Sequence, residues 1–236
     1  MRIIRLSAFS ILLMFLFSSC ESGLSLTDFS GDNRSNRLTN QEIIAGLKEA
    51  LTVGTNNSVD VASARDGFFK HPVIAIPFPP EAKHVETQLR AIGFNQAVDR
   101  CIEAFNRAAE EASKEAGQIF IAAVRGMTIQ DGMSILRGGD NAATNFLRNT
   151  TSDQLYARFN PIVVQATDKV LLTRYWAEVM DRYNKIPFMQ PANVDINDYT
   201  TNKAIDGIFH LISEEEAKIR NNPAARVTEL LRRVFA

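Results

Sequence analysis

The chain of 236 residues has very few side chains that bind metals or form disulfides. Two thiols cannot build a disulfide framework or a multi-cysteine metal site. The metalloprotease pattern H-E-x-x-H is absent. The sequence therefore predicts neither a metal site nor a disulfide-stapled fold. The residues concerned are two cysteines, Cys20 and Cys101, and three histidines, His71, His84 and His210.

The signatures of familiar catalytic and nucleotide sites are also missing. The chain contains no G-x-S-x-G, no G-x-x-x-x-G-K-[ST] and no G-x-G-x-x-G. A catalytic triad assembled from distant residues stays open, but no catalytic residue and no cofactor is predicted. Lys and Arg number 26 against 27 Asp and Glu. Because a nucleic-acid partner needs a basic surface, none is predicted.

The most informative apolar stretch lies at the N-terminus, where a short basic segment precedes the apolar residues 6–17. Crossing a bilayer takes roughly 20 apolar residues, so a run of this length favours a signal peptide. Phe17-Ser18-Ser19-Cys20 then resembles the lipobox of bacterial lipoproteins, which are cut before an acylated cysteine. We predict a signal peptide at residues 1–19 and lipidation at Cys20. An ordinary signal peptide with an incidental cysteine, or a buried N-terminal helix, is the alternative.

The segment after the cleavage point is polar. Residues 20–40 are rich in Ser, Gly, Asn and Asp, which predicts a flexible tether ahead of a domain at residues 41–236. Cleavage removes two arginines and leaves 24 basic against 27 acidic residues, a net charge of about −3. The lipid makes the membrane a predicted partner. Because Glu21 is not the aspartate that retains enterobacterial lipoproteins in the inner membrane, the outer membrane facing the periplasm is favoured.

The domain carries several helix-start signals. Thr39-x-x-Glu42 and Ser213-x-x-Glu216 have the spacing of a capping box, in which a hydroxyl and a carboxylate each satisfy a backbone N–H. Asn160-Pro161 and Asn222-Pro223 place an N-cap residue before proline at the first helical position. We therefore predict helices starting at these four points, one of them running from Pro161 to about Tyr183.

A proline-rich stretch, residues 71–80, interrupts this helical pattern. It predicts an extended segment over the helical core or a short strand. Cys101 falls among apolar positions of a long helix from about Asn95 to Glu115, and we interpret it as a small core residue. The fold class predicted is all-α: a single bundle-like domain with proline-rich extended connections and at most a minor strand pair.

The stretch Arg137-Gly138-Gly139-Asp140 joins two predicted helices. Thr128-x-x-Asp131 opens the first helix, either glycine can end it in the left-handed conformation, and Asp140 can cap the second. A helix N-terminus binds anions, so Arg137 and the N–H groups near Asn141 could hold a phosphate. Asp140 opposes this because it already places a carboxylate there. We interpret the stretch as a turn first and an anion site second.

Charged residues elsewhere give only a weak prediction of a ligand or partner site. Clustered carboxylates such as those around Glu110 are usually a solvated helix face. The candidates are Arg107, Glu110, Asp131, Arg137, Asp140 and Arg220.

Five short motifs follow one another along the domain: NRAAE (106–110), MTIQD (127–131), ILRGGDNAAT (135–144), IPF (186–188) and IRNNPAAR (219–226). Together they resemble a bacterial family, the domain of unknown function 4197, over roughly residues 40–236. The resemblance implies a mostly helical envelope domain and carries over no catalytic residue, substrate or cofactor. Two residues depart from the pattern: Gly132 stands in place of alanine and Phe146 in place of tyrosine.

Two functional hypotheses follow from the sequence. The first is a non-catalytic envelope lipoprotein that binds an envelope protein or cell-wall component through a groove between helices. The second is a small hydrolase or ligand-binding enzyme that uses carboxylates and arginines such as Glu110, Arg107, Asp131 and Arg220. The second hypothesis requires these side chains to converge in one pocket. Oligomeric state is not indicated by the sequence.

Overall fold

The computed structural model describes residues 38–188, 194–226 and 228–234. The predicted signal peptide, Cys20 and the tether as far as Arg37 lie outside these residues.

The described residues form nine α-helices and two short 3₁₀ turns, Pro80–Ala82 and Pro223–Ala225, and no strand. The prediction of an all-α fold is confirmed. The helices are α1 (Asn40–Ser63), α2 (Lys83–Ala91), α3 (Asn95–Ser113), α4 (Ala116–Gly126), α5 (Ile129–Arg137), α6 (Ala142–Lys169), α7 (Leu172–Asn184), α8 (Ile196–Asn221) and α9 (Glu229–Val234).

Helices α3 and α8 organise the core. Helix α8 packs against α1, α3 and α6, and α3 packs in addition against α6 and α7. Small buried residues on α3, among them Ala108, Ala109 and Cys101, allow close helix contacts. Burial raises the pKa of the Cys101 thiol far above its ordinary value. Cys101 is therefore an unreactive core residue, as predicted.

The proline-rich stretch lies over the helices as an extended segment and pairs with no strand. Phe78 from this segment packs against Trp176 and Phe105, with ring centroids 5.3 and 6.4 Å away. The Tyr199 hydroxyl donates to the Pro77 carbonyl at 3.0 Å. The segment is thus held by aromatic packing.

Helix α6 passes through Pro161, so the helix start predicted there is wrong. Proline costs about 3 kcal/mol in a helix interior. The buried face of α6 nevertheless continues across it through Leu155, Phe159 and Val163. Burying each such side chain contributes about 1.5–3 kcal/mol, which offsets the proline. The break comes later, at Leu171, which has a left-handed backbone with φ of 58°.

The predicted capping box at Ser213 is wrong as well, because α8 runs unbroken from Ile196 to Asn221. The Ser213 hydroxyl donates to the His210 carbonyl within the helix, at 2.7 Å. The boxes at Thr39 and Thr128 are confirmed. Asn222 accepts from the Ala224 N–H, which starts a 3₁₀ turn where a helix was predicted.

No single described helix is long and apolar enough to cross a bilayer. Only α4 and α5 taken together have that length and composition, with a bend of 102° between them.

Packing explains why position 132 holds glycine where the family pattern has alanine. A Cβ added to Gly132 on α5 would lie 2.2 Å from Cδ1 of Ile44 on α1. It would lie 3.5 Å from Cγ1 of the same residue and from Cδ2 of Leu47, which is ordinary contact. One terminal methyl group therefore fills the space that alanine would need.

We expect Gly132→Ala to give no gain in stability, because overpacking cancels the roughly 1 kcal/mol that alanine gains over glycine in a helix. With Ile44→Val the obstructing methyl is gone, and the same substitution should then stabilise by about 1 kcal/mol. Urea unfolding of the four chains of this double-mutant cycle measures the coupling. Gly117→Ala is the control, since its Cβ would meet only Val59, at 3.9 Å. Equal effects of Gly132→Ala in both backgrounds would contradict the explanation.

Candidate functional site

The N-terminus of α6, directly after the Arg-Gly-Gly-Asp turn, is occupied by a carboxylate of the protein itself. Glu216 on α8 accepts the Ala143 N–H through Oε1 at 3.0 Å and the Thr144 N–H through Oε2 at 2.8 Å. The Thr144 hydroxyl also donates to Oε2, at 2.8 Å. A carboxylate here satisfies N–H groups that a helix start leaves unpaired and complements the helix dipole. The anion at this helix start therefore comes from α8.

Arg220 completes this centre from one turn further along α8. Its Nε donates to Oε1 of Glu216 at 2.9 Å, and its Nη2 lies 2.8 Å from the same oxygen. Nη2 also donates to the Ile135 carbonyl near the end of α5, at 3.0 Å. Both side chains are largely buried, with 15% and 5% exposed. We call Glu216 and Arg220, with the backbone groups they bind, the Glu216 centre.

The turn before α6 is shaped by close packing. Gly138 has φ of −77°, and among the described glycines only Gly93 has a positive φ, so the left-handed helix end predicted at Gly138 or Gly139 is wrong. A Cβ on Gly138 would lie 2.4 Å from Cβ of Ala142, which leaves no room for a side chain. The cap predicted at Asp140 is also wrong: the N-cap residue is Asn141, whose side chain makes no capping bond. Glu216 instead accepts hydrogen bonds from the first N–H groups of the helix, which is the usual role of an N-cap side chain.

A second centre, built around Glu110 on α3, has the same design. Glu110 Oε1 accepts the N–H groups of Phe68 and Phe69 at 3.1 and 3.2 Å, and Oε2 takes Nη1 of Arg107 at 2.8 Å. Nη2 of Arg107 reaches Asp66 at 2.7 Å. Burial alone would lower the pKa of Arg107, but hydrogen bonds to Glu110 and Asp66 raise it above its ordinary value. This Glu110 centre fixes the turn that follows α1.

Asn106 extends the Glu110 centre to the proline-rich segment. Its Oδ1 accepts the Ile76 N–H at 2.7 Å, and its Nδ2 donates to the Ile76 carbonyl at 2.9 Å. An extended segment without a strand partner has backbone groups that need other partners. The NRAAE motif therefore clamps this segment: Glu110 and Asn106 bind the backbone of residues 68, 69 and 76, and Arg107 binds the Asp66 side chain.

The bonding of the two buried carboxylates limits what they can do chemically. A carboxylate has about four lone-pair positions. Glu216 faces two backbone N–H groups, one hydroxyl and one guanidinium, which fill them. Removing this carboxylate would leave a buried arginine without its charge partner, and breaking such a pair costs about 3–5 kcal/mol. Both centres are built to hold backbone.

The other predicted site residues lie apart from these centres. Asp131 belongs to the capping box at the start of α5, where hydrogen bonds from the Thr128 hydroxyl and N–H lower the pKa of its carboxyl. Arg137 and Asp140 are exposed, and neither side chain forms a hydrogen bond or ion pair with the described part of the chain. The structure therefore joins Arg107 to Glu110, places Arg220 with Glu216, and brings the six candidates into no common pocket.

Sequence reasoning missed Glu216 because its spacing from Ser213 suggested a local capping box. The available signal was Arg220 four residues later, a spacing typical of ion pairs within a helix. Asn106 was noticed only as part of a motif. Within the described ranges, no group of three or more His, Cys, Asp and Glu side chains is placed to hold a metal ion.

Two surface grooves differ in how their polar groups are used. The first, of about 540 Å³, lies beside the Glu110 centre, and its charged side chains other than Arg65 form ion pairs, as Glu111 does with Lys114 and Lys169. The second, of about 470 Å³, runs between α4 and α6. We call it the α4/α6 groove. Its walls include Glu115, Gln118, Ala122, Gln154, Ala157 and Arg158.

We expect Glu216→Ala to destabilise the domain by about 3–5 kcal/mol, since two buried N–H groups and one arginine lose their partner. Glu216→Gln keeps an acceptor and should cost less. Glu214→Ala, a half-exposed carboxylate on the same helix, is the matched control and should change stability by under about 1 kcal/mol. Urea unfolding measures all three. Similar losses at 214 and 216 would show that the Glu216 centre is not a structural clamp.

Comparison with known proteins agrees with the five motifs. The family model described as Protein of unknown function (DUF4197) matches residues 37–236. No curated protein and no solved structure matches the chain. Since the family model covers the whole helical domain, the chain belongs to the DUF4197 family.

Proposed function

We propose that the protein is a cell-envelope lipoprotein whose helical domain is a non-catalytic binding or scaffold module. Acyl chains on Cys20 hold it to the membrane. The proposed location is the outer membrane, with the domain facing the periplasm. Several acyl chains give durable attachment, because each buried methylene contributes about 0.8 kcal/mol. The signal-peptide pattern, the cysteine that follows it and the polar tether support this arrangement.

The non-catalytic part of the proposal rests on the hydrogen bonds of two buried glutamates. Glu110 and Glu216 each accept two backbone N–H groups and an arginine. A general base needs a lone pair within reach of the substrate proton. These carboxylates hold helix starts and turns in place, so the domain presents a rigid surface.

The α4/α6 groove is the surface that best fits a partner. Glu115, Gln118, Gln154 and Arg158 line it, and their exposed side chains form no hydrogen bond or ion pair within the described part of the chain. Pro161 lacks an N–H, which leaves the Ala157 carbonyl in the groove wall without its usual helical donor. Two amides and a free acceptor suit the backbone of a polar peptide segment. We propose an envelope protein as the partner.

Replacing Cys20 by alanine, behind a signal peptide that is cleaved without lipidation, should move the protein from the membrane to the soluble envelope fraction, because the acylated thiol is lost. Cys101→Ala is the matched control and should stay in the membrane fraction. Alkaline washing and detergent phase partitioning of both chains measure attachment. A Cys20→Ala chain that still partitions into detergent would contradict lipid anchoring at this residue.

Photocrosslinking in intact cells tests the groove. A photoreactive residue at Gln118 and one at Gln154 should both capture the same protein, and Ala122→Trp, which fills the groove, should abolish capture. Gln96, an exposed glutamine at the start of α3, is the control position. Capture that is equal at Gln96, or unaffected by Ala122→Trp, would contradict binding in the groove. Turnover of ester, phosphate or glycoside substrates by the purified chain would contradict a non-catalytic module.

A further inference from the structure

The C-terminal residues have a charge opposite to that of the rest of the domain. Residues 217–236 hold five basic residues and one acid, a net charge of about +4. The mature chain carries about −3, so the remainder carries about −7. Asymmetry of this size indicates a separate electrostatic role for the basic part. The residues are Lys218, Arg220, Arg226, Arg232 and Arg233, with Glu229 as the acid.

Three of these five basic residues are not neutralised by ion pairs within the described part of the chain. Lys218 pairs with Glu215, and Arg220 pairs with Glu216. Arg226 instead donates to the carbonyls of Ile219 and Arg220, at 3.1 and 2.9 Å. Arg232 donates to the carbonyl of Arg226, at 3.1 Å. Because carbonyls carry no net charge, these bonds position the guanidinium groups and leave their positive charge.

Helix α9 places two of these charges beside the start of α1. A Cβ on Gly46 of α1 would lie 2.8 Å from Val234 Cγ2 and 3.0 Å from Leu230 Cγ, so the two helices are in close contact there. Arg232 and Arg233 occupy the intervening positions of α9 and are exposed. Arg233 is close enough to add to the lowering of the Glu42 pKa, which comes chiefly from Thr39. The basic C-terminus therefore lies where the chain enters the domain.

The five residues before that entry point, 33–37, also hold two arginines and no acid. Arg34 and Arg37 precede Leu38 by four residues and one. Arginines thus occur in the sequence just before the domain begins and on α9, next to the start of α1. A lipid on Cys20 would bring this end of the domain near the membrane. We define the C-terminal basic face as Arg226, Arg232 and Arg233 together with the start of α1.

We propose that the C-terminal basic face binds the phosphate groups of anionic phospholipids and turns this end of the domain towards the membrane. The inference rests on the proposed lipid anchor, which brings the face to the bilayer. If the predicted tether of about 18 residues is a flexible coil, its typical end-to-end distance is roughly 25 Å. Tethering at that range makes even weak binding effective. Each arginine near an anionic surface should raise membrane affinity roughly fivefold.

Vesicle sedimentation with the non-lipidated mature chain, residues 20–236 with Cys20→Ala, tests the face. Binding to phosphatidylcholine vesicles should be weak and should rise as phosphatidylglycerol is added to 40% of the lipid. Raising salt from 0.05 to 0.5 M should remove most of it, because screening weakens contact between charges. Arg232→Gln with Arg233→Gln should lower the partition coefficient about 25-fold, whereas lysine at both positions should preserve it.

The matched control is Arg174→Gln with Lys203→Gln, which changes net charge equally at exposed positions of α7 and α8. It should leave binding unchanged. Thermal melting checks that every variant is folded. Inorganic phosphate at 10 mM should not compete, since the face contacts many headgroups at once.

Three results would overturn the inference: no dependence on phosphatidylglycerol, equal losses in the two glutamine pairs, or complete competition by phosphate, which would indicate a single-anion site. The test is independent of acylation. If Cys20→Ala leaves attachment in cells unchanged while vesicle binding behaves as expected, the proposed anchor fails and this face stands. If vesicles are not bound while Cys20→Ala is released in cells, only this inference fails.

Discussion

The hydrogen bonds that Glu216 accepts from the first turn of α6 are the interaction on which much of the architecture depends. They connect α8 to α6, and Arg220 carries the connection on to the end of α5. Helix packing alone can slide by a turn, since apolar stripes repeat along a helix. A buried carboxylate bonded to two particular N–H groups cannot slide, because losing either bond leaves a buried charge unsatisfied. The centre thus fixes the register of the helices that apolar packing holds together.

The Glu110 centre applies the same principle to the part of the chain that is not helical. Residues 66–78 contain prolines and form no strand, and side chains from α3 bind the backbone of Phe68, Phe69 and Ile76. In both centres a buried glutamate binds two consecutive N–H groups while an arginine on its own helix balances the charge. Motifs rich in Arg, Glu and Asn, which suggest a reactive site in a sequence, are here the means of fixing irregular backbone. Two exposed features carry the functional proposals: a groove whose glutamine side chains have no partner among the described residues, and an end rich in arginine.

How far the sequence predicts each feature follows from the range of the interactions involved. The all-α class, the capping boxes at Thr39 and Thr128 and the core position of Cys101 depend on residues within one or two turns, and all were predicted correctly. The continuation of α6 through Pro161 was not predicted. The local cost of proline is outweighed there because Phe159 and Val163 on either side of it are buried against other helices. The candidate site was located only in part: Arg107 pairs with Glu110 as neighbours on one helix, while the role of Glu216 depends on residues 72 and 73 positions away.

The sequence by itself determined which segments are helical, which family the chain belongs to and which side chains carry charge. Apolar periodicity, capping residues and ordered motifs are local and can be read directly. Only the tertiary structure decided where the charges go. A carboxylate such as Glu216 has the same local signature whether it caps its own helix, faces solvent or activates a substrate. Which of these it does depends on the N–H groups that folding brings within hydrogen-bond distance, here those at the start of a helix that follows the Arg-Gly-Gly-Asp turn.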